Sequence, residues 1–212
     1  MATKNKKKPT GNARLLSDKA YLQSGQARKL PLHKCFVSAG WQKAGLAQVL
    51  VSRRHITGNL TVGLYLADLY CAGVKDAYFL FNIPEDSLNE LMGDMQEERD
   101  IVLEPCDYGL AHNIIYSALD FAATWHIAPA SDFDVAKMIL AEDDESVELI
   151  DIECGKDGQP FLFAFSMDAR TSYYLQQLKQ HAGEGNYTFV IGSSGGDEDM
   201  DEDEFDEQDV ED

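Results

Sequence analysis

The two ends of the chain carry opposite charges, and this limits where a folded core can lie. Residues 197–212 contain 12 acidic residues and no basic one, whereas residues 1–34 contain nine basic residues and one acid. Segments so charged and so poor in large apolar side chains cannot bury enough surface to offset the entropy lost on ordering. The sequence therefore predicts one folded body, 33–191, between a basic, mostly disordered arm at 1–32 and a Gly/Ser linker with a disordered acidic tail at 192–212.

The body combines strand and helix patterns. Gly58 and Asn59 tolerate positive φ and stand between two apolar runs, which predicts a hairpin. Strands are predicted at 33–38, 46–54, 60–70, 77–83 and 186–191, with a second hairpin at 147–165. Apolar residues repeat at helical spacing in 87–98, 107–126, 132–140 and 168–183. Hairpins and helices together predict an α+β fold, a single domain with a mainly antiparallel sheet packed by three to four helices.

Hydropathy and cysteine spacing exclude several protein classes. No stretch of 18 apolar residues is present, and polar residues follow the basic N-terminus, so we expect a cytoplasmic protein without membrane association. The four cysteines form no C-x-x-C pair, which favours reduced, buried thiols over a zinc site or redox dithiol. Nucleotide-binding glycine loops and the zincin and serine-hydrolase motifs are also absent from the sequence.

Three polar residues are candidates for a metal or catalytic site. Asp68 and Asp76 flank the turn after a core strand, and His112 opens the central helix, with Asp107 or Asp120 as a further acid. Carboxylates suit Mg²⁺ or Mn²⁺, and an imidazole shifts the preference towards transition metals. The spacing is not diagnostic, because such residues commonly cap turns and backbone donors, and we favour that structural role. No cofactor is otherwise predicted.

Cys71 invites a second catalytic hypothesis. A nearby imidazole such as His112 would lower the pKa of its thiol and produce a nucleophile. No local motif supports this pairing, so we disfavour it.

Arg53 and Arg54 lie at the tip of the first predicted hairpin, with Lys43 shortly upstream. An exposed basic tip can contact phosphate or nucleic acid, and the lysines of residues 4–8 offer a second route to nucleic acid. The alternative is that both arginines pair with the acids of the body. We favour this alternative, because no RNA-binding motif accompanies them.

The acidic tail is the strongest compositional signal in the chain. Such a block either keeps a protein soluble or occupies a basic surface, and the two roles are evenly matched on composition. Phe205 and Val210 interrupt the acids, in a pattern consistent with recognition. The predicted binding residues of the tail are Asp197, Glu198, Asp199, Asp201, Glu202, Asp203, Glu204 and Phe205.

Residues 63–78, GLYLADLYCAGVKDAY, resemble a motif of an uncharacterised bacterial protein family, in which a strand ending in Asp is followed by Cys, Gly, Val, Lys and Asp. Segments 108–116, 155–160 and 183–187 are similar to that group as well, so the resemblance covers about 33–191. It implies a bacterial cytosolic source and supplies no reaction. The residues to which it lends weight are Asp68, Cys71, Lys75, Asp76, His112 and Asn113.

Two functional hypotheses follow. The first is a non-enzymatic interaction protein, an adaptor or chaperone-like module whose acidic tail engages a basic partner such as a ribosomal or nucleic-acid-binding protein. The second is a metal-dependent hydrolase or nuclease that uses Asp68, Asp76 and His112. The sequence does not determine the oligomeric state.

Overall fold

Four of the predicted strands and one further strand form a five-stranded sheet. The computed structural model describes residues 16–192. The sheet consists of β1 (Leu32–Ser38), β2 (Leu46–Arg54), β3 (Leu60–Asp68), β4 (Gly73–Ile83) and β5 (Leu103–Cys106). Its strand order is β4-β3-β2-β1-β5, and every neighbouring pair is antiparallel. The predicted α+β class with an antiparallel sheet is confirmed.

Six helices accompany the sheet within residues 16–192. They are α1 (Asp18–Gln23), α2 (Trp41–Ala44), α3 (Glu85–Arg99), α4 (Tyr108–Thr124), α5 (Phe133–Ala136) and α6 (Ala169–His181). Short 3-10 turns occupy Ala27–Lys29 and Lys137–Ile139. Among the described residues, no helix has the length and apolar character needed to cross a membrane.

Successive side chains of a strand point to opposite faces of the sheet, and helices pack against both faces. Val62 and Leu64 of β3 pack on one face, in a core shared with Leu88 and Met95 of α3. Tyr65 of β3 packs on the opposite face, in a larger core completed by α1, α4 and α5. The sheet therefore lies between α3 and a layer of three helices.

A smaller unit packs against the end of α4, and it corrects the prediction of a second hairpin. Strand β6 (Phe161–Ala164) pairs in parallel with β7 (Thr188–Ile191), and α6 connects them. No strand forms over 147–153. Asn113 of α4 instead donates from Nδ2 to the carbonyl of Glu148 and accepts at Oδ1 from the N–H of Ile150. A side chain thus satisfies backbone groups that a strand partner would otherwise pair.

The predicted boundary at residue 33 also needs correction. Leu22 of α1 and Ala27 are fully buried in the larger core, so the folded body begins before β1. The guanidinium of Arg28 adds a hydrogen bond to the carbonyl of Leu140 and an ion pair with Glu142. Helix α1 therefore packs against α5 through its apolar side, although the segment around it is polar in composition. The remainder of the arm, 1–15, and the tail lie outside the described residues.

Candidate functional site

Asp68 ends β3 and holds the turn into β4. Its Oδ1 accepts hydrogen bonds from the backbone N–H groups of Tyr70, at 3.1 Å, and Cys71, at 3.0 Å. Its Oδ2 lies 3.6 Å from Nζ of Lys75. Burial raises the pKa of Asp68, and Lys75 together with the backbone donors opposes this rise. The carboxylate therefore has a structural partner for each oxygen.

Asp76 and His112 lie in different surroundings from Asp68. Asp76 is exposed on β4, and its Oδ1 accepts from the backbone N–H of Ala77. His112 is buried on α4 between the rings of Tyr108 and Tyr116, whose centroids lie 5.7 and 4.4 Å from that of the imidazole. Within residues 16–192, no group of three His, Cys, Asp or Glu side chains is arranged to hold a metal ion. The structure therefore does not assemble the three candidates into one site.

His112 gives a testable pH dependence. Burial lowers its pKa, Asp143 partly opposes this shift, and Nε2 has no hydrogen-bond partner in the described chain. Protonation then favours the unfolded state, so stability is complete above the unfolded pKa, about 6.5, and falls as the pH drops below it. We expect the free energy of unfolding to decrease between pH 7.5 and 5.5 by at most about 1.4 kcal/mol per pH unit from this group.

Urea titrations at several pH values measure this effect, with His112→Gln as the non-titrating control. The control is expected to show a shallower decrease over the same interval. Identical pH dependence in the two proteins would contradict the assignment to His112.

Cys71 lacks the environment of a nucleophile. It is fully buried, and burial together with the neighbouring Asp68 raises the pKa of its thiol. A thiol with a raised pKa stays protonated and reacts slowly. The geometry therefore gives the disfavoured cysteine-nucleophile hypothesis no support.

Arg53 is not an exposed tip residue, and it makes neither the phosphate contact considered for it nor the favoured pairing with an acid of the described chain. Its side chain is buried on the face of the sheet covered by α1, α4 and α5, where the guanidinium donates to the carbonyls of Ile139 and Leu30. The guanidinium also lies 5.9 Å from the centroid of the Tyr108 ring. The charged guanidinium is buried at a place where it provides hydrogen bonds to backbone carbonyls of two neighbouring turns.

Arg54 is engaged as well. Its Nη2 contacts Glu85 at 2.7 Å, and the same carboxylate binds Lys34 and His33. Hydrogen bonds from these three partners lower the pKa of Glu85 to about 2. Arg54 thus pairs with an acid at the start of α3, in agreement with the favoured alternative, and it does not present a free basic tip.

A cavity that the sequence analysis missed lies at the end of the β3–β4 hairpin. It has a volume of about 350 Å³ and is bordered by three lysines from separate segments, Lys43, Lys75 and Lys156. Tyr70, Phe161 and Phe163 contribute aromatic walls, and Asp68 is the acidic residue in the lining. We call this cavity the lysine pocket. It is a cationic, aromatic site on a protein whose net charge is −19.

Tyr70 connects the segments that form the lysine pocket. Its hydroxyl donates to the carbonyl of Lys43 at 3.2 Å, its backbone carbonyl accepts from Phe161, and the two rings meet edge to face. The ring lies over Gly45, where φ is +63° and a Cβ would come within 2.2 Å of a ring carbon. Only glycine fits there without displacing the tyrosine. Nζ of Lys156 lies 4.7 Å from the centroid of Phe161, as in a cation–π contact.

The charges around the lysine pocket are unevenly distributed. Lys75 pairs with Asp68, whereas Lys43 and Lys156 have no salt-bridge partner among residues 16–192. A second cavity shares Tyr70 and Lys156 with the pocket, but Asp151, Glu153 and Asp157 line its other side. The lining of the lysine pocket is therefore more cationic than that of the cavity beside it, although Lys156 belongs to both.

Sequence spacing could not reveal this convergence. The three lysines are separated by more than 30 and 80 residues along the chain, and each lies within two residues of a glycine. The sequence signal that could have indicated this site is the presence of basic residues next to glycines in an otherwise acidic body. Only the tertiary fold brings those residues together.

The chain was compared with protein families, curated proteins and solved structures. No family model, curated protein or solved structure matches it.

Proposed function

We propose that this chain is an interaction protein of adaptor or chaperone-like type, whose acidic tail engages a basic partner such as a ribosomal or nucleic-acid-binding protein. The observation that carries the proposal is the charge of residues 197–212, with 12 acids and no base. Such a block attracts a basic surface from a distance and accelerates encounter.

An exposed apolar surface beside the start of the tail supports this proposal. Phe163 and Phe165 of the β6 segment and Val190 and Ile191 of β7 are all exposed, and the Phe165 side chain is 70% accessible. The backbone of Gly192, just before the tail, lies against Phe163. A partner with a basic patch bordered by apolar residues would be complementary to both features.

The engagement of the polar candidates also favours binding over catalysis. Asp68 caps a turn, Arg53 binds backbone carbonyls and Asn113 fixes an extended segment. We further propose a bacterial, cytoplasmic location. The sequence resemblance supports it, and the four cysteines, all free, suit a reducing compartment.

Neutralising the tail tests the proposed function. A variant with every acid of 197–212 changed to its amide, Asp→Asn and Glu→Gln, keeps the length of the tail and the size of its side chains. We expect it to bind a lysine-rich probe peptide at least about tenfold more weakly than the parent at low salt, because the attraction is electrostatic. Isothermal titration at low and high salt measures the difference.

A chain ending at Gly196 and a Phe205→Ser variant are the controls. The shortened chain should behave like the neutral-tail variant, and Phe205→Ser should retain the salt-dependent part of binding. Capture from cytosol with the same proteins then identifies natural partners by mass spectrometry. Equal probe affinity for the parent and the neutral-tail variant, unchanged by salt, would refute the proposal.

A further inference from the structure

We propose that the lysine pocket is a binding site for an acidic peptide, and that its occupant is the acidic tail of the same chain. Bound there, the tail is withheld from a basic partner, so the pocket regulates the interaction proposed above. The effect on partner binding rests on that proposed function, whereas the contact between pocket and tail does not.

The lysine pocket brings positively charged side chains together on a protein whose net charge is strongly negative. Lys43 and Lys156 are exposed at its rim, without an acidic partner in the described part of the chain. Lys75 contributes a third charge, which Asp68 compensates. Two uncompensated cations beside a low-polarity aromatic wall bind carboxylates more strongly than isolated surface lysines do, because the wall excludes water from one side.

Gly192, the last residue that the structure describes, lies beside this pocket. A Cβ on Gly192 would lie 2.7 Å from the ring of Phe163, which is itself part of the pocket wall. The first acid, Asp197, follows five residues later, after two serines and two glycines. Five extended residues span about 17 Å, so the tail acids can reach the pocket.

Tethering makes this contact favourable at modest intrinsic affinity. A short Gly/Ser connection gives an effective concentration in the millimolar range. The neighbouring cavity has Asp151, Glu153 and Asp157 in its lining, so it is a less favourable place for the tail acids than the lysine pocket. Charge complementarity and the position of Gly192 therefore select the tail over an unrelated occupant.

Zero-length crosslinking of the full chain tests the contact. A water-soluble carbodiimide joins a carboxylate to a lysine amine only when the two touch. In the monomeric fraction, we expect crosslinks from 197–212 to Lys43 and Lys156 at least about threefold more often than to Lys29 and Lys179, because tethering concentrates the acids near the pocket. Lys29 and Lys179 are exposed lysines elsewhere on the body. Equal yields at all four lysines, or crosslinks confined to dimers, would overturn the proposal.

Partner competition provides the second measurement. Lys43→Gln/Lys156→Gln is expected to bind the lysine-rich probe about threefold more tightly than the parent, since its tail is released. The matched variant Lys29→Gln/Lys179→Gln should bind as the parent does. Pocket crosslinks without any probe binding would refute the proposed function and leave the contact established. Tail-dependent probe binding that the pocket variant does not change would overturn the regulatory role.

Discussion

Replacing Leu22 by alanine is expected to lower the free energy of unfolding by about 3 to 5 kcal/mol, because truncation of a buried leucine loses apolar transfer energy and leaves a cavity. Leu22 is fully buried although it lies in a segment of polar composition. Its helix, α1, contacts α5 and the Lys137–Ile139 turn. Urea denaturation monitored by tryptophan fluorescence measures the change.

The matched control for this substitution is Leu16→Ala. Leu16 is 57% exposed, so its truncation should change the unfolding free energy by no more than about 0.5 kcal/mol. A Leu22→Ala protein as stable as the control would show that α1 is not part of the folded body. The predicted boundary at residue 33 would then be reinstated.

Four of the five strands of the main sheet were predictable because their information is local, whereas β5 was not predicted. β3 alternates apolar side chains, β2 contains an apolar run, and Gly58 with Asn59 marks their turn, so pairing of the two strands as a hairpin follows from the sequence. The central helix, α4, was equally clear from its apolar repeat. For these elements, periodicity and turn chemistry agree with the tertiary environment.

The predicted second hairpin does not form, because the backbone groups of its two segments pair with other parts of the chain. The alternation in 147–153 is genuine, but Asn113 satisfies the backbone there, and β6 finds β7 through α6. Neither relation has a local signature. Short apolar runs indicate that a strand can form, and they do not indicate which strand will accept its hydrogen bonds.

The lysine pocket escaped prediction for the same reason. Lys75 belongs to the motif at 63–78, Lys43 precedes β2, and Lys156 follows a glycine far along the chain. Their proximity depends on Tyr70 bridging the turn at Lys43 and the start of β6. A binding site built from residues of distant segments requires the fold before it can be recognised.

Arg53 has a role that neither interpretation of its charge included. The dipeptide Arg53–Arg54 at a hairpin end indicates a basic tip, but successive side chains of a strand point to opposite faces. Arg53 is therefore buried beside Ile139 and Tyr108, and Arg54 turns towards Glu85 on the side of α3. Burial lowers the pKa of the Arg53 guanidinium, although an arginine stays charged in proteins. The hydrogen bonds to the two carbonyls therefore compensate the cost of keeping this charge buried.

Arg53→Met is accordingly expected to lower the free energy of unfolding by about 3 kcal/mol, because it leaves the carbonyls of Ile139 and Leu30 buried without a donor. Methionine keeps most of the aliphatic volume, so the loss reports the hydrogen bonds and not a cavity. Arg99→Met on the exposed surface of α3 is the matched control and should change stability by less than about 0.5 kcal/mol. Denaturation of both proteins in urea gives the comparison. Equal stability would mean that Arg53 is not the donor that joins the N-terminal segment to the Lys137–Ile139 turn, whereas the expected difference identifies one arginine as the connection between them.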